Sequence, residues 1–136
     1  MFVWDDSLKT GVPAVDVQHK VIIDTFNELE THMAQGIKVV TVKKTLTFLK
    51  YYAEWHFERE EKCMDRYHCP YAQLNQQAHA AFLEKFTRLY AEFQQSEDAE
   101  GMARRIHAEL SDWLVNHIKG VDAKLAPFVP EEDKRR

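Results

Sequence analysis

The sequence predicts an all-α protein, an up-down-up-down four-helix bundle with an irregular N-terminal arm. Three observations point there. The 136 residues include only 4 Gly and 4 Pro, and two of the prolines, Pro127 and Pro130, lie near the C-terminus. So few breakers favour long helices over many short strands. Four segments carry apolar residues at steps of three and four, the seam expected of packed helices. Short links join the segments, which makes consecutive helices antiparallel neighbours. A chain of this length suits one domain with one core, taken here over 1–136.

The elements follow in order. Residues 1–16 form the arm, with Gly11 and Pro13 holding off an early helix. The first helix is expected over about 17–35, ending at Gly36, a suitable glycine just past a helix end. The second runs over about 39–67, and Pro70 enforces a break. The third covers about 71–94. Gln95 to Ala99 is a polar connection in which Ser96 or Asp98 is placed to cap the fourth helix, over about 99–119. That helix is expected to restart through Leu125, and 126–136 reads as a frayed tail.

Polar residues interrupt the inward stripes. The first holds His19, Phe26 and Met33; the second Leu46, Leu49, Ala53, His56, Glu60 and Cys63. The third holds Asn75, His79, Phe82, Phe86 and Phe93; the fourth Ile106, Leu110, Trp113 and His117. Leaving His19, His56, Glu60, Asn75, His79 and His117 buried without partners would cost several kcal/mol. In an up-down bundle the start of the first helix, the end of the second, the start of the third and the end of the fourth share one level. All six residues therefore converge on one layer, and Asp122 reaches it if the chain tightens beyond His117. His32, His68 and His107 fall outside the cluster and are expected to face solvent.

Six inward polar groups from four helices point to a cation. Imidazole suits iron, copper, nickel and zinc, while carboxylates add hard oxygen donors and bridge ions. His56 and Glu60 stand at i, i+4 on one helix face. Mixed His and carboxylate donors inside a bundle favour a dinuclear site. A structural zinc site takes about four ligands, commonly with cysteine, and neither Cys63 nor Cys69 has a matching partner at ligand spacing.

Composition excludes other classes. A net charge of −4, from 18 basic and 22 acidic residues, argues against nucleic-acid or anionic-membrane binding. No apolar run approaches the roughly 20 residues of a membrane span. The N-terminus shows no signal-peptide pattern. Two cysteines without a disulfide framework make a reduced cytoplasmic setting the expectation.

Four motifs resemble those of the hemerythrins, most closely the single-domain bacteriohemerythrins. They are Trp4…Gly11…Asp16-Val17-Gln18-His19, His56-Phe57-Glu58-Arg59-Glu60-Glu61-Lys62-Cys63-Met64, His79-Ala80-Ala81-Phe82, and Trp113-Leu114-Val115-Asn116-His117-Ile118-Lys119-Gly120-Val121-Asp122. The resemblance covers nearly the whole chain, and four motifs in order at family spacing make it specific. It implies a non-haem site of two iron ions (Fe2+/Fe3+) with a bridging oxo or hydroxo group, binding dioxygen reversibly for storage, delivery or sensing. By the same carry-over His19 and His56 hold the iron that receives the gas, His79 and His117 hold the other, and Glu60 and Asp122 bridge. Ile22, Phe57, Trp113, Leu114 and Ile118 match the apolar oxygen pocket, where dryness keeps water and protons from the gas. The implied ligands are dioxygen, with peroxide or NO as variants, on a chain expected to be a monomer with no assigned protein partner.

The chain departs from the family at one ligand. Where the family has a second histidine four residues before His79, this sequence has Asn75. Three accounts stand open: a weak ligand through the amide oxygen, a hydrogen bond to a metal-held water, or a weakly held second iron. A takeover of the role by His68, in the nearby link, is the fourth. An open position on the second iron also supports an alternative function, a di-iron redox enzyme of peroxidase-like or O2/NO-reducing type.

Overall fold

The computed structural model describes residues 4–36 and 38–130. Four helices carry the fold: α1 (Pro13–Ala34), α2 (Val39–Arg66), α3 (Ala72–Gln95) and α4 (Ala99–Gly120). They pack cyclically, α1 on α2, α2 on α3, α3 on α4 and α4 back on α1. That is the arrangement of an up-down-up-down bundle joined by short links. No described helix is long and apolar enough to cross a membrane.

Local chemistry sets the helix ends. α1 stops where Gly36 takes φ +93°, a conformation that costs glycine little. α4 starts at Asp98, whose carboxylate accepts from the backbone N–H of Gly101 at 3.0 Å. A Cβ at Gly101 would sit 2.2 Å from Asp98 Oδ2, so the glycine makes room for the cap. The α2–α3 link passes through His68, at φ 53°, before Pro70.

Two expectations are corrected at the chain ends. The irregular arm was expected through residue 16, yet α1 begins at Pro13. Proline at the first helical position loses only an N–H that the helix would leave unpaired anyway, and its φ suits the helix. The arm also contains a short 3-10 turn, Asp6–Leu8, with Leu8 buried. The frayed tail was expected from 126, but Ala126–Phe128 forms a 3-10 turn. Leu125 and Val129 are buried there in a second apolar cluster with Val12, Val15, Met64 and Cys69. The stretch is held by apolar burial that helical periodicity does not reveal. Residues 131–136 of that expected tail lie outside the described residues.

The main core fills the bundle along the stripes. Phe26, Leu29, Leu46, Leu49, Leu89, Ile106 and Leu110 are all at most 1% exposed. Truncating one of them to alanine should cost about 2–5 kcal/mol. Inward Cys63 is only half-buried, and its neighbour Met64 takes the buried place. Above this core, toward the second cluster, the interior turns polar.

Candidate metal centre

Each helix delivers one histidine to the polar layer. His19 comes from α1, His56 from α2, His79 from α3 and His117 from α4, each at most 6% exposed. Glu60 is one turn beyond His56 and is 1% exposed. Asp122 reaches the layer because α4 ends at Gly120 and the chain tightens into a 3-10 turn, Asp122–Lys124. The helical path would have carried that carboxylate away around the axis; the tightened turn brings it inward, 1% exposed.

The six side chains form two overlapping four-donor groups. One is His19, His56, Glu60 and Asp122; the other is His79, His117, Glu60 and Asp122, each with donor atoms within 4.8 Å of one another. Both carboxylates belong to both groups. Glu60 turns Oε2 to His56 Nε2 at 3.2 Å and to His19 Nε2 at 3.7 Å, while its Oε1 lies 3.3 Å from His79 Nε2. Asp122 turns Oδ2 to His19 Nε2 at 3.0 Å and Oδ1 to His117 Nε2 at 3.1 Å. One oxygen of each carboxylate thus faces each histidine pair.

Within the pairs, nitrogen meets nitrogen. His19 Nε2 and His56 Nε2 are 3.0 Å apart, and His79 Nε2 and His117 Nε2 are 3.2 Å apart. His56 Nδ1 donates to Gln18 Oε1 at 2.5 Å, which in the neutral ring leaves Nε2 as the lone-pair nitrogen facing inward. Glu60 Oε2 and both oxygens of Asp122 are buried without a hydrogen bond. Lone pairs crowded at these distances, with carboxylates on both sides, fit a pair of cations better than they fit one another. The donor set, imidazole with carboxylate oxygen, suits iron among the first-row metals.

Charge follows the same geometry. Burial alone would lower the pKa of His19, but the carboxylates of Asp122 and Glu60 outweigh it and push it up to about 9. At His56 burial wins over Glu60 and the pKa falls. Burial would raise the pKa of Glu60, but the imidazoles of His19, His56 and His79 against its two oxygens outweigh that and hold it well below the usual carboxylate range. The protein thus keeps a carboxylate ionised in its interior.

Asn75 sits within this layer, 0% exposed. Its Nδ2 donates to Glu60 Oε1 at 2.6 Å and to Met64 Sδ at 3.3 Å. The carboxylate only accepts, so the amide nitrogen must face it. Asn75 Oδ1 is buried without a hydrogen-bond partner. His68 is exposed in the link and belongs to neither donor group.

Of the five residues matched to an oxygen pocket, Ile22, Leu114 and Ile118 are buried in the main core. Phe57 stacks on His79 with ring centroids 3.8 Å apart, and Trp113 stacks on His117 at 4.5 Å. Both aromatics therefore back the second histidine pair. Two residues bear on the site without standing out in the sequence: Gln18, which precedes His19 in the first motif, and Glu61, whose Oε2 lies 3.7 Å from His79 Nδ1. Adjacency to a candidate ligand was the signal available for both. The expectation that His32 and His107 face solvent is corrected: both are half-buried. His107 packs edge-on against Phe26 at 5.8 Å, where burial lowers its pKa.

Residues 10–129 match the family model described as Hemerythrin HHE cation binding domain. Among curated proteins the chain is 32% identical over 130 residues to a bacteriohemerythrin of Stenotrophomonas maltophilia, covering 95% of this chain and 82% of that protein. It is 31% identical to a bacteriohemerythrin of Pseudomonas aeruginosa, over 89% of this chain and 76% of that protein. A myohemerythrin of Riftia pachyptila is 26% identical over 90% of this chain and 89% of its own length.

Proposed function

Since the chain belongs to the hemerythrin family, we propose that it holds two iron ions and binds dioxygen reversibly, for storage, delivery or sensing. His19 and His56 would hold one ion and His79 and His117 the other; Glu60 and Asp122 would each offer one oxygen to either ion, and a solvent-derived oxo or hydroxo group would complete the centre. The observation that carries this reading is the split of each carboxylate, one oxygen toward each histidine pair. When bound, the iron pair supplies the electrons for reversible oxygen binding. Two free cysteines are consistent with a reduced cytoplasmic setting.

The chain's own residues shape the surroundings. Gln18 fixes the His56 ring and its tautomer from behind. Phe57 and Trp113 lie flat on His79 and His117, while Ile22, Leu114 and Ile118 supply apolar wall, which keeps water and protons out of the centre. Asn75 holds Glu60 Oε1 by its amide N–H and keeps its own oxygen buried without a hydrogen-bond partner. Each ion then has two imidazoles, and the second gains at most a neutral amide oxygen or a water held by that amide.

Anaerobic reconstitution with ferrous iron, metal counting and oxygen titration test the assignment. About two irons per chain and a coloured form that reverts when oxygen is removed are expected. Zinc, or no metal, recovered in place of iron would sink it. Asn75 favours one second reading, a di-iron redox enzyme, because two imidazoles leave the second ion open to substrate. Rapid autoxidation with peroxide-dependent oxidation of a dye would support that reading, and a long-lived oxygenated form would eliminate it.

A further inference from the structure

Beside the His19–His56 pair, α1 and α2 part around a cavity of about 210 Å³. Glu60 reaches it from the metal layer, and Gln18, the partner of His56 Nδ1, forms part of the wall. Val12, Val15 and Val129 give it apolar sides. Arg59 and Arg66, both exposed, also line it, with Ala14, Cys63 and Tyr67. They stand seven residues apart on one face of α2, about 10 Å along its axis.

Among the described residues neither guanidinium has a carboxylate partner. Arg59 reaches only the Trp55 carbonyl, at 3.4 Å, and lies 3.9 Å over the Trp55 ring. Arg66 lies 5.4 Å over the Tyr67 ring. Arg104 and Arg105, by contrast, pair with Glu100 and Glu109 at 2.8 and 2.9 Å. In a chain of net charge −4, two such cations on one cavity reverse the local sign. Apolar walls strengthen their field inside the cleft. The fork of a guanidinium matches the oxygens of a carboxylate or a tetrahedral oxyanion.

We propose that this cavity binds a small oxyanion, and that its occupancy is coupled to metal in the adjacent centre. The coupling rests on the metal assignment above; the anion site itself does not. Glu60 is the physical link. Without a cation its carboxylate repels an anion in the cavity, and a cation on Glu60 removes that repulsion. Gln18 is a second link, since it touches both the cavity and His56. By reciprocity an anion in the cavity must strengthen metal binding by the same factor that metal strengthens anion binding.

The test is a titration of zinc-loaded and metal-free full-length protein with sodium sulfate and, separately, sodium acetate. The readout is the side-chain Nε–H NMR signals of Arg59 and Arg66, against sodium chloride at equal ionic strength. Saturable shifts are expected, at least about tenfold tighter in the zinc-loaded form, a coupling within the usual allosteric range. The sulfate and acetate arms decide between a tetrahedral and a planar anion. Arg59→Gln with Arg66→Gln should abolish saturation while circular dichroism and zinc count stay unchanged; in that variant the Gln18 side-chain amide is the reporter. Shifts no different from chloride in both forms, binding that survives the double variant, or equal affinity in both forms would each overturn the proposal. Failure of the metal assignment shows separately, as a zinc count near zero, and the metal-free titration then decides the anion site alone.

Discussion

Behind the His19–His56 pair stand a polar amide, Gln18, and a cavity bearing two guanidiniums. Behind the His79–His117 pair stand the faces of Phe57 and Trp113. Both pairs share the same two carboxylates, and both offer two inward imidazole nitrogens. The difference therefore lies in the backing rather than the donors. One half is oriented by a hydrogen bond, the other by stacked rings. Asn75 sharpens the contrast, because a third imidazole on the second half would have made the donor counts unequal. On the proposed metal assignment, what would distinguish the two ions must come largely from what surrounds their ligands.

The largest expected effect comes from breaking what the halves share. Glu60→Gln keeps the shape but removes the charge and the second acceptor oxygen. Iron or zinc bound per chain should fall from about two to one or fewer, measured by metal analysis after desalting. Retention of two ions would mean that Glu60 does not span the halves. Asn75→His should act next, and on one half only. A third imidazole beside His79 should tighten the second ion, seen as a slower loss of one of two ions to a chelator. Loss of both at the unchanged rate would show that position 75 does not tune the second site. On the other half, Gln18→Leu removes the orienting acceptor of His56 and should weaken the first ion by about 10–100-fold. Smaller still is Trp113→Ala. It strips the stacked ring from buried His117, lets water reach that side, and should make the oxygenated colour fade severalfold faster, with metal content unchanged.

The helices and the six-residue layer were legible because burial forces a period on the sequence, and polar letters at inward positions stand out against it. His19, His56, His79 and His117 are visible in that way, and Glu60 by its i, i+4 relation to His56. Asp122 was legible only conditionally, since its arrival depends on a tightened turn. Gln18 was not, because a half-buried amide whose partner is another helix leaves no periodic trace. The cavity could not be read either. It arises where two helices part, and Val129, which helps line it, belongs to a stretch expected to fray. The early start of α1 is hidden in the sequence because proline reads as a helix breaker, whereas at a first turn it is compatible with helix.

The smallest effect concerns protons in place of metal, and it separates the halves again. With the metal removed, the His19 pKa of about 9 exceeds the ordinary 6.5 because Asp122 and Glu60 outweigh the cost of burial. A raised folded-state pKa means that protonation stabilises the fold. That contribution is fully present below pH 6.5 and is lost as pH rises through 9. The melting temperature of the metal-free protein should therefore fall between pH 6.5 and 9. His19→Gln should flatten that fall. In the metal-loaded protein the imidazole must be neutral to bind, so the same window should instead show metal affinity rising with pH. Parallel melting curves for the two forms across this range would show that His19 does not carry the proton that the metal displaces.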